Sequence, residues 1–274
     1  PTIPINDGAR RVLSFVSPEG RLTNARFPAP VNNYYGVTHV LYSCVLQALA
    51  KFQPERAVGA AGFGVGAVSF GYRQARAGKP AVQYEILVTS LGATPTSDGT
   101  FVVMAMSHIT PNTPIEILET EFPVLIETFE PTADTGGAGY HRGGVGYRKE
   151  YRALGDAQLT LRLGQFRHGA WGVLGGKPPS RAKATLNPGT DRETPTATLY
   201  TAELHQGDTV RLDMPGGGGY GDPLTREPER VLDDVLDGYV SVEAAERDYG
   251  VVIDLANKRV DEEQTAALRA RMRR

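Results

Sequence analysis

A stretch of eighteen residues, from Asp134 to Tyr151, reads DTGGAGYHRGGVGYRKEY and holds six glycines in its first thirteen positions. Glycine permits positive φ angles and lets a backbone come close to another backbone or to a ligand. One interpretation of this density is a set of tight turns and bulges at sheet corners. The other is a loop whose exposed N–H groups bind an anion or floor a ligand pocket, with Arg142 adding positive charge.

Two more glycine clusters lie downstream, WGVLGGKP at 171–178 and MPGGGGYGDP at 214–223. Between the clusters, apolar residues alternate with polar ones, which is the period of a half-buried antiparallel strand. Leucines alternate in QLTLRL at 158–163, and DTVRLDM at 208–214 repeats the pattern. These runs predict a body made mostly of antiparallel sheet.

Three apolar segments are expected to form the middle of this body. AVQYEILV at 81–88 and FVVMAMS at 101–107 are apolar on nearly all positions, which predicts central strands covered on both sides. THVLYSCVLQALAKF at 38–52 has the spacing of one apolar helix face, with Thr38 as its cap, and predicts the main packed helix. The single cysteine is expected in the core, because the face comprises Leu41, Cys44, Val45, Ala48, Leu49 and Phe52.

The sequence changes character from Pro223 onward. Two short helices are predicted to end at Gly238 and Gly250, since glycine suits the left-handed residue that closes a helix. A third helix is predicted to begin near Asp261 and to end in basic residues, which favour the negative end of the helix dipole. The predicted fold is therefore α+β, with a β-rich body at 1–222 and a small helical tail at 223–274.

Composition excludes several classes of function. Among 274 residues, 29 basic side chains nearly balance 31 acidic ones, so nothing attracts the polyanionic backbone of a nucleic acid. No stretch has the ~18–20 consecutive apolar residues that a membrane span needs. The chain has one cysteine, which excludes an internal disulfide framework and favours a reducing compartment, so we expect the cytoplasm.

The usual catalytic motifs are missing from the sequence. Pro178 stands after Lys177 where a phosphate loop needs a hydroxyl, and Ala67 replaces the first glycine of a hydrolase elbow around Ser69. The five histidines form neither a His-x-His pair nor a His-Glu-x-x-His motif. We therefore expect no metal or cofactor site built wholly by this chain.

Several long motifs nevertheless resemble those of the hydantoinase B/oxoprolinase family. They are the stretch at 134–151, the two glycine clusters after it, the helical run that follows them, PEGRLTNARFPAPVN at 18–32 and SHITPNTPIEILE at 107–119. The resemblance covers nearly the whole chain, and the motifs differ from one another and stand in the family's order. The family comprises large subunits of ATP-dependent hydantoinases, of lactam hydrolases and of acetone- and acetophenone-type carboxylases, and half of 5-oxoprolinase.

The resemblance implies chemistry shared between subunits. In the family, an actin-like ATPase of the hydantoinase A type uses ATP and Mg to phosphorylate the carbonyl oxygen of a ring amide or ketone. The B-type subunit then completes hydrolysis or carboxylation. The divalent metal, zinc or manganese, belongs to an N-terminal portion of the B-type subunit that precedes the region matched here. We therefore expect this chain to act as the C-terminal section of a larger subunit, as a proteolytic piece or one half of a split subunit.

The resemblance leaves three functions open: cyclic-amide hydrolysis, which is slightly favoured, carboxylation of a ketone, and a non-catalytic scaffold within such a complex. Substrate is expected to meet His108 and Asn112, which flank a predicted strand end, and Asp134 and Arg142, which bracket the first glycine cluster. For each, the alternative is a structural role in a turn or loop. The backbone expected to shape the pocket belongs to Gly136, Gly137, Gly139, Gly143 and Gly144.

Overall fold

Strands with alternating apolar residues pair into two antiparallel sheets in the computed structural model, which describes residues 8, 11, 14–31, 34–62, 66–102 and 112–273. Sheet I has the order β2-β1-β5-β8, and sheet II has the order β3-β4-β9-β6-β7. The strands are β1 Gly66–Tyr72, β2 Ala81–Leu87, β3 Val124–Thr132, β4 Gly146–Ala153, β5 Ala157–Arg162, β6 Lys183–Leu186, β7 Thr194–Pro195, β8 Leu199–Leu204 and β9 Thr209–Met214.

The two sheets share one hydrophobic core. Leu159 and Leu161 of β5 are fully buried, as is Leu212 of β9, and one apolar cluster contains the inward side chains of both sheets. Gln158 and Arg162 of β5 point to solvent. The predicted alternation is confirmed in both strands, because burying only one face of a strand requires apolar residues at every second position.

Besides two short 3₁₀ helices, Pro54–Arg56 and Pro223–Thr225, the described residues form five α-helices. They are α1 Tyr34–Leu49, α2 Ile115–Glu121, α3 Pro228–Leu236, α4 Val242–Tyr249 and α5 Glu262–Met272, and a two-stranded ribbon, β10 Ile253–Asp254 and β11 Arg259–Val260, lies before the last of them. The predicted α+β class is confirmed. Within the described part of the chain, no helix is both long enough and apolar enough to cross a membrane.

The helical tail forms as the sequence predicts. Gly238 and Gly250 follow α3 and α4 with φ of +75° and +62°, the left-handed conformation expected of them. The Asp261 side chain caps α5 by accepting a hydrogen bond from the Gln264 N–H at 3.0 Å. The tail has its own apolar cluster, which also includes Ala138 from the first glycine-rich stretch. The tail therefore packs against the body at that point.

The prediction that 81–88 forms a central strand covered on both sides is wrong. β2 lies at the end of sheet I, and Val82 and Tyr84 are 66% and 56% exposed. Gln83 and Glu85 point into the core instead. The sequence 101–107 was expected to be a second central strand, but 103–111 lie outside the described residues, so that prediction stands untested.

A buried polar cluster explains the inward orientation of β2. Glu85 Oε2 accepts a hydrogen bond from Lys149 Nζ of β4 at 2.5 Å, and both side chains are 5% exposed. Gln83 Nε2 donates to the other Glu85 oxygen at 2.9 Å. The Lys149 ammonium also lies 5.1 Å from the centre of the Tyr151 ring. Pairing and hydrogen bonding allow both charges to be buried between the sheets.

The expectations for the helix at 38–52 are wrong in two respects. α1 begins upstream of Thr38, at Tyr34. Its apolar face is exposed within this chain: Leu41, Val45 and Leu49 are 47%, 45% and 55% exposed, and Cys44 is exposed with them. Periodicity identifies which residues share a face, but it does not say what that face packs against.

Candidate functional site

Five chain segments meet beside the sandwich: 59–62, 90–93, 136–144, 171–177 and 216–221, here called the glycine bundle. Consecutive residues of the last segment bond to different neighbours. The Gly217 N–H donates to the Gly144 carbonyl at 2.8 Å, the Gly218 N–H to Ala60 at 2.8 Å, and the Gly219 N–H to Lys177 at 3.0 Å. A strand in a sheet bonds to two sides only. Segment 216–221 is therefore surrounded by the others, as the central member of a bundle.

Close backbone approach explains the glycines of this bundle. A Cβ at Gly217 would overlap the carbonyl oxygen of Leu91, and one at Gly219 would overlap that of Ala138. Residues 216–219 have no positive φ, so conformational freedom is not what requires glycine there. The clusters at 136–144 and 216–221 are separate in sequence, but the lack of side chains in each one leaves room for the backbone of the other.

The predicted glycine backbone donors are used within the bundle. The N–H groups of Gly137, Gly143 and Gly144 donate to the carbonyls of Gly217, Gly137 and Leu91 at 2.8, 2.9 and 3.0 Å. An anion nest needs N–H groups that point at a ligand. These three bonds instead support close packing of backbone, a third interpretation beside the corner turns and the nest. Gly136 also packs against the backbone of Gly143 in its own segment, and Gly139 against the backbone of Tyr220 in a neighbouring one.

Asp98 is the centre of an ion-pair network where the bundle meets the tail. Its two carboxylate oxygens accept hydrogen bonds from Arg226 Nη1 at 2.8 Å and Nη2 at 2.9 Å. Arg230 Nη2 donates at 2.8 Å and the Arg142 backbone N–H at 2.7 Å. Burial alone would raise the pKa of Asp98, but the hydrogen bonds and charge of Arg226, with Arg142 and Arg230, lower it to about 2.

Asp234 of α3 extends the same network. It accepts hydrogen bonds from Arg226 Nη2 at 2.8 Å and from Arg142 Nε at 3.1 Å. The Arg226 side chain is only 1% exposed, so its charge is compensated by both carboxylates. Such a network holds three parts of the chain in one geometry, because Arg226 bonds to both carboxylates and Arg142 connects the first glycine-rich stretch to Asp234.

His141 is a buried imidazole beside this network. Its Nδ1 atom lies 3.6 Å from an Asp98 oxygen, and its ring lies 4.7 Å from the ring of Tyr140. Burial lowers the pKa of His141, and the Asp98 charge opposes this shift only in part. The imidazole is therefore neutral at pH 7 and presents an uncharged ring to the carboxylate.

The structure brings two of the predicted site residues to the junction between bundle and tail. Arg142 takes part in the Asp98 and Asp234 network, and its Nη1 donates to the Gly143 carbonyl at 2.8 Å. Asp134 is exposed with φ of +61°, and its carboxylate accepts a hydrogen bond from the Ser241 N–H at 2.7 Å. Asn112 is exposed before α2, whereas His108 lies outside the described residues. None of these placements tests a contact with substrate.

Sequence reasoning missed Asp98 and Arg226 as the centre of the polar network. No local sequence pattern identifies them as partners, since they are 128 residues apart. Within the described residues, no group of three or more histidine, cysteine or carboxylate side chains has the arrangement to hold a metal ion. A surface groove of about 930 Å³ lies over β1, β2 and β5, and its lining includes none of the predicted site residues that the structure describes.

Two antiparallel sheets with a shared core, a glycine bundle and a helical tail define an α+β protein. The sequence profile of the hydantoinase B/oxoprolinase family matches residues 1–223, and the chain belongs to that family. The caprolactamase β subunit of Pseudomonas jessenii is 35% identical over 97% of this chain and 48% of its own length. The predicted resemblance is thereby confirmed.

Solved structures agree with this assignment. The crystal structure of the ATP-dependent caprolactamase from Pseudomonas jessenii matches with a TM-score of 0.80 and 34% identity, over 98% of this chain and 48% of the other. Nucleotide-free acetone carboxylase matches with a TM-score of 0.84 and 25% identity, over 98% of this chain and 41% of the other. The chain spans about half the length of the curated relatives it matches.

Proposed function

We propose that this chain is part of an ATP-dependent hydrolase that opens the C–N bond of a cyclic amide, a hydantoin or a lactam. The observation that carries the proposal is the similarity to the caprolactamase, which extends over 98% of the chain at 34% identity. The acetone carboxylase shares the fold at 25% identity. Of these two solved structures, the hydrolase is therefore the more similar to this chain in sequence.

The chemistry proposed is activation followed by hydrolysis. An amide carbonyl is a poor electrophile, and transfer of a phosphoryl group from ATP to its oxygen creates a good leaving group. Water then adds to the ring carbon, and the C–N bond breaks with a proton going to the nitrogen, which leaves an amine and an acyl phosphate. A second water then releases phosphate and the carboxylate. Donors fixed in place before the reaction stabilise developing charge more effectively than mobile ones do. ATP and Mg are assigned to an actin-like partner of the hydantoinase A type.

This chain would contribute rigidity and part of the pocket wall. The glycine bundle has few side chains, and its segments are fixed by backbone hydrogen bonds to several neighbours. A loop held in this way presents a rigid backbone surface without mobile side chains, which favours precise positioning of a small cyclic substrate. His108, Asn112, Asp134 and Arg142 remain the proposed substrate-pocket residues. The zinc or manganese ion is assigned to the N-terminal portion of the B-type subunit, and no residue of this chain is assigned to it.

A second candidate is a subunit of an acetone- or acetophenone-type carboxylase. The TM-score of 0.84 against acetone carboxylase favours it, because the backbone of the two proteins agrees over nearly the whole chain. A third candidate is a scaffold that supplies no reacting group. The internal contacts of Arg142 and Asp134 favour this role, since both side chains bind other parts of the chain.

One reconstitution experiment separates these functions. The chain is purified with the remaining half of a B-type subunit and an A-type ATPase, and phosphate release is measured with hydantoins, lactams, and ketones plus bicarbonate. We expect release with a cyclic amide, matched by ring-opened product. Release only with a ketone and bicarbonate would favour the carboxylase, and turnover by the 274 residues alone would refute the shared-site proposal. Unchanged turnover after alanine replacement of His108, Asn112, Asp134 and Arg142 would favour the scaffold.

A further inference from the structure

Residues 14–31 and 36–52 present an apolar surface that the rest of the described chain does not cover. Of the twenty-three exposed large apolar residues in the described part of the chain, eleven lie in these two ranges. They include Phe15, Val16, Leu22, Phe27, Val31, Val40, Leu41, Tyr42, Val45, Leu49 and Phe52. Monomeric proteins scatter exposed apolar residues over their surface, and a contiguous group marks a site of association.

The orientation of α1 strengthens this interpretation. His39 and Ser43, one helical turn apart, are the buried side chains of its described part, at 9% and 7% exposure. Leu41 and Val45 are on the outward side, and Phe52 beyond the helix is 84% exposed. A surface helix of a globular protein normally has the opposite arrangement, with its apolar stripe facing the core. This helix is oriented to be covered on its outer side.

The absence of charge around α1 indicates a permanent contact. The sequence from Phe27 to Ala50 contains no aspartate, glutamate, lysine or arginine, although these residues make up 22% of the chain. Transient interfaces are about as polar as the rest of a protein surface, whereas obligate interfaces resemble a domain core cut in half. A surface without charge over this length is of the obligate type.

We propose that the surface formed by 14–31 and 36–52 is the contact face for the other half of a B-type subunit. The curated relatives are about twice as long as this chain, and nearly all of this chain aligns with them. The polypeptide outside the alignment is therefore long enough to cover such a face. This partner rests on the proposed function, because it completes the same subunit. The A-type ATPase and a second copy of this chain are the competing occupants.

The test uses Cys44, which is exposed on α1, as a reporter. The chain is co-expressed with the remaining half of a B-type subunit, and modification of Cys44 by a thiol reagent is timed. We expect a complex of one copy each, in which modification is at least tenfold slower than in the chain alone. Leu41→Asp with Val45→Asp is expected to weaken the complex by at least a hundredfold.

Matched controls make the result decisive. Val82→Asp with Leu199→Asp introduces the same charges at residues that are 66% and 69% exposed on sheet I, and is expected to leave the complex intact. Both double variants should unfold at the temperature of the wild-type chain. The proposal is overturned if the α1 variant still forms the complex or if Cys44 stays equally reactive. It is also overturned if the same substitutions abolish only self-association or only binding to an A-type ATPase. A complex that shows no hydrolase activity after an A-type ATPase, ATP and cyclic amides are added would refute the proposed function and leave this interface standing.

Discussion

Replacing Lys149 by methionine should strongly destabilise the sandwich, because the substitution leaves the Glu85 carboxylate buried without its partner. The pair is joined at 2.5 Å and both side chains are 5% exposed, so solvent cannot replace the lost ammonium. Breaking a buried ion pair by removing one member reduces the free energy of unfolding by about 3–5 kcal/mol. For a protein of this size, each kcal/mol corresponds to roughly 2–4 °C in Tm, so a decrease of roughly 6–20 °C is expected.

A double-mutant cycle tests the origin of this effect. Glu85→Gln combined with Lys149→Met removes both charges and keeps a group that can bond to Gln83, so most of the lost stability should return. The assay is urea unfolding followed by fluorescence and circular dichroism, with agreement of the two probes as the check for two-state behaviour. Arg152→Met is the control, since its ion pair with Glu127 is 40% exposed on the arginine side and is worth at most about 1 kcal/mol.

Two results would contradict this account of the buried pair. A Lys149→Met protein within about 1 kcal/mol of wild type would mean that water reaches Glu85 after the change, against the burial described here. A double variant no more stable than Lys149→Met would mean that the apolar stem of the lysine, and not its charge, is what the core requires.

Three further outcomes are expected from the bundle and the network beside it. Gly217→Ala should abolish soluble expression because its Cβ would overlap a backbone carbonyl, whereas Gly71→Ala, with 3.9 Å of clearance, should express normally. Asp98→Asn should reduce the free energy of unfolding by about 2 kcal/mol at pH 7. The difference from wild type should become smaller as pH falls from about 4 to about 2, because the stability that comes from a lowered carboxyl pKa is lost when the carboxylate is protonated. An unchanged deficit at low pH would contradict that pKa. Arg226→Met should reduce the free energy of unfolding, measured in urea, by about 3–5 kcal/mol. Arg247→Met, at an exposed ion pair, should reduce it by at most about 1 kcal/mol, and equal reductions would refute the role of burial.

The Asp98 network connects the body and the tail that sequence composition separates at residue 223. Arg226 and Asp234 belong to the tail, whereas Asp98 and Arg142 belong to the body. Because Arg226 of the tail pairs with Asp98 of the body and Arg142 of the body pairs with Asp234 of the tail, the two parts depend on each other for stability. We expect that 1–222 expressed without the tail will be less stable than the full chain, which thermal unfolding of the two proteins would measure.

Part of this protein was predictable because it depends on local sequence. The alternation in β5 and β9 follows from burying one face of a strand, and the ends of α3 and α4 follow from the left-handed conformation of Gly238 and Gly250. The family was also identified from its motifs, since long motifs in a fixed order keep their identity without any knowledge of contacts.

The remainder was decided by contacts between distant residues. Periodicity assigned Cys44 to an apolar face, but which side of α1 is covered depends on the rest of the fold, and the face is exposed. Apolar composition made 81–88 a central strand, whereas Lys149 in the opposite sheet draws Glu85 inward and leaves Tyr84 in solvent. The glycines likewise revealed where backbone is crowded, and only the fold revealed that the crowding comes from other glycine segments. Hydrophobic pattern and chain stiffness act over a few residues, while ion pairs and close backbone contacts require both partners to be in place.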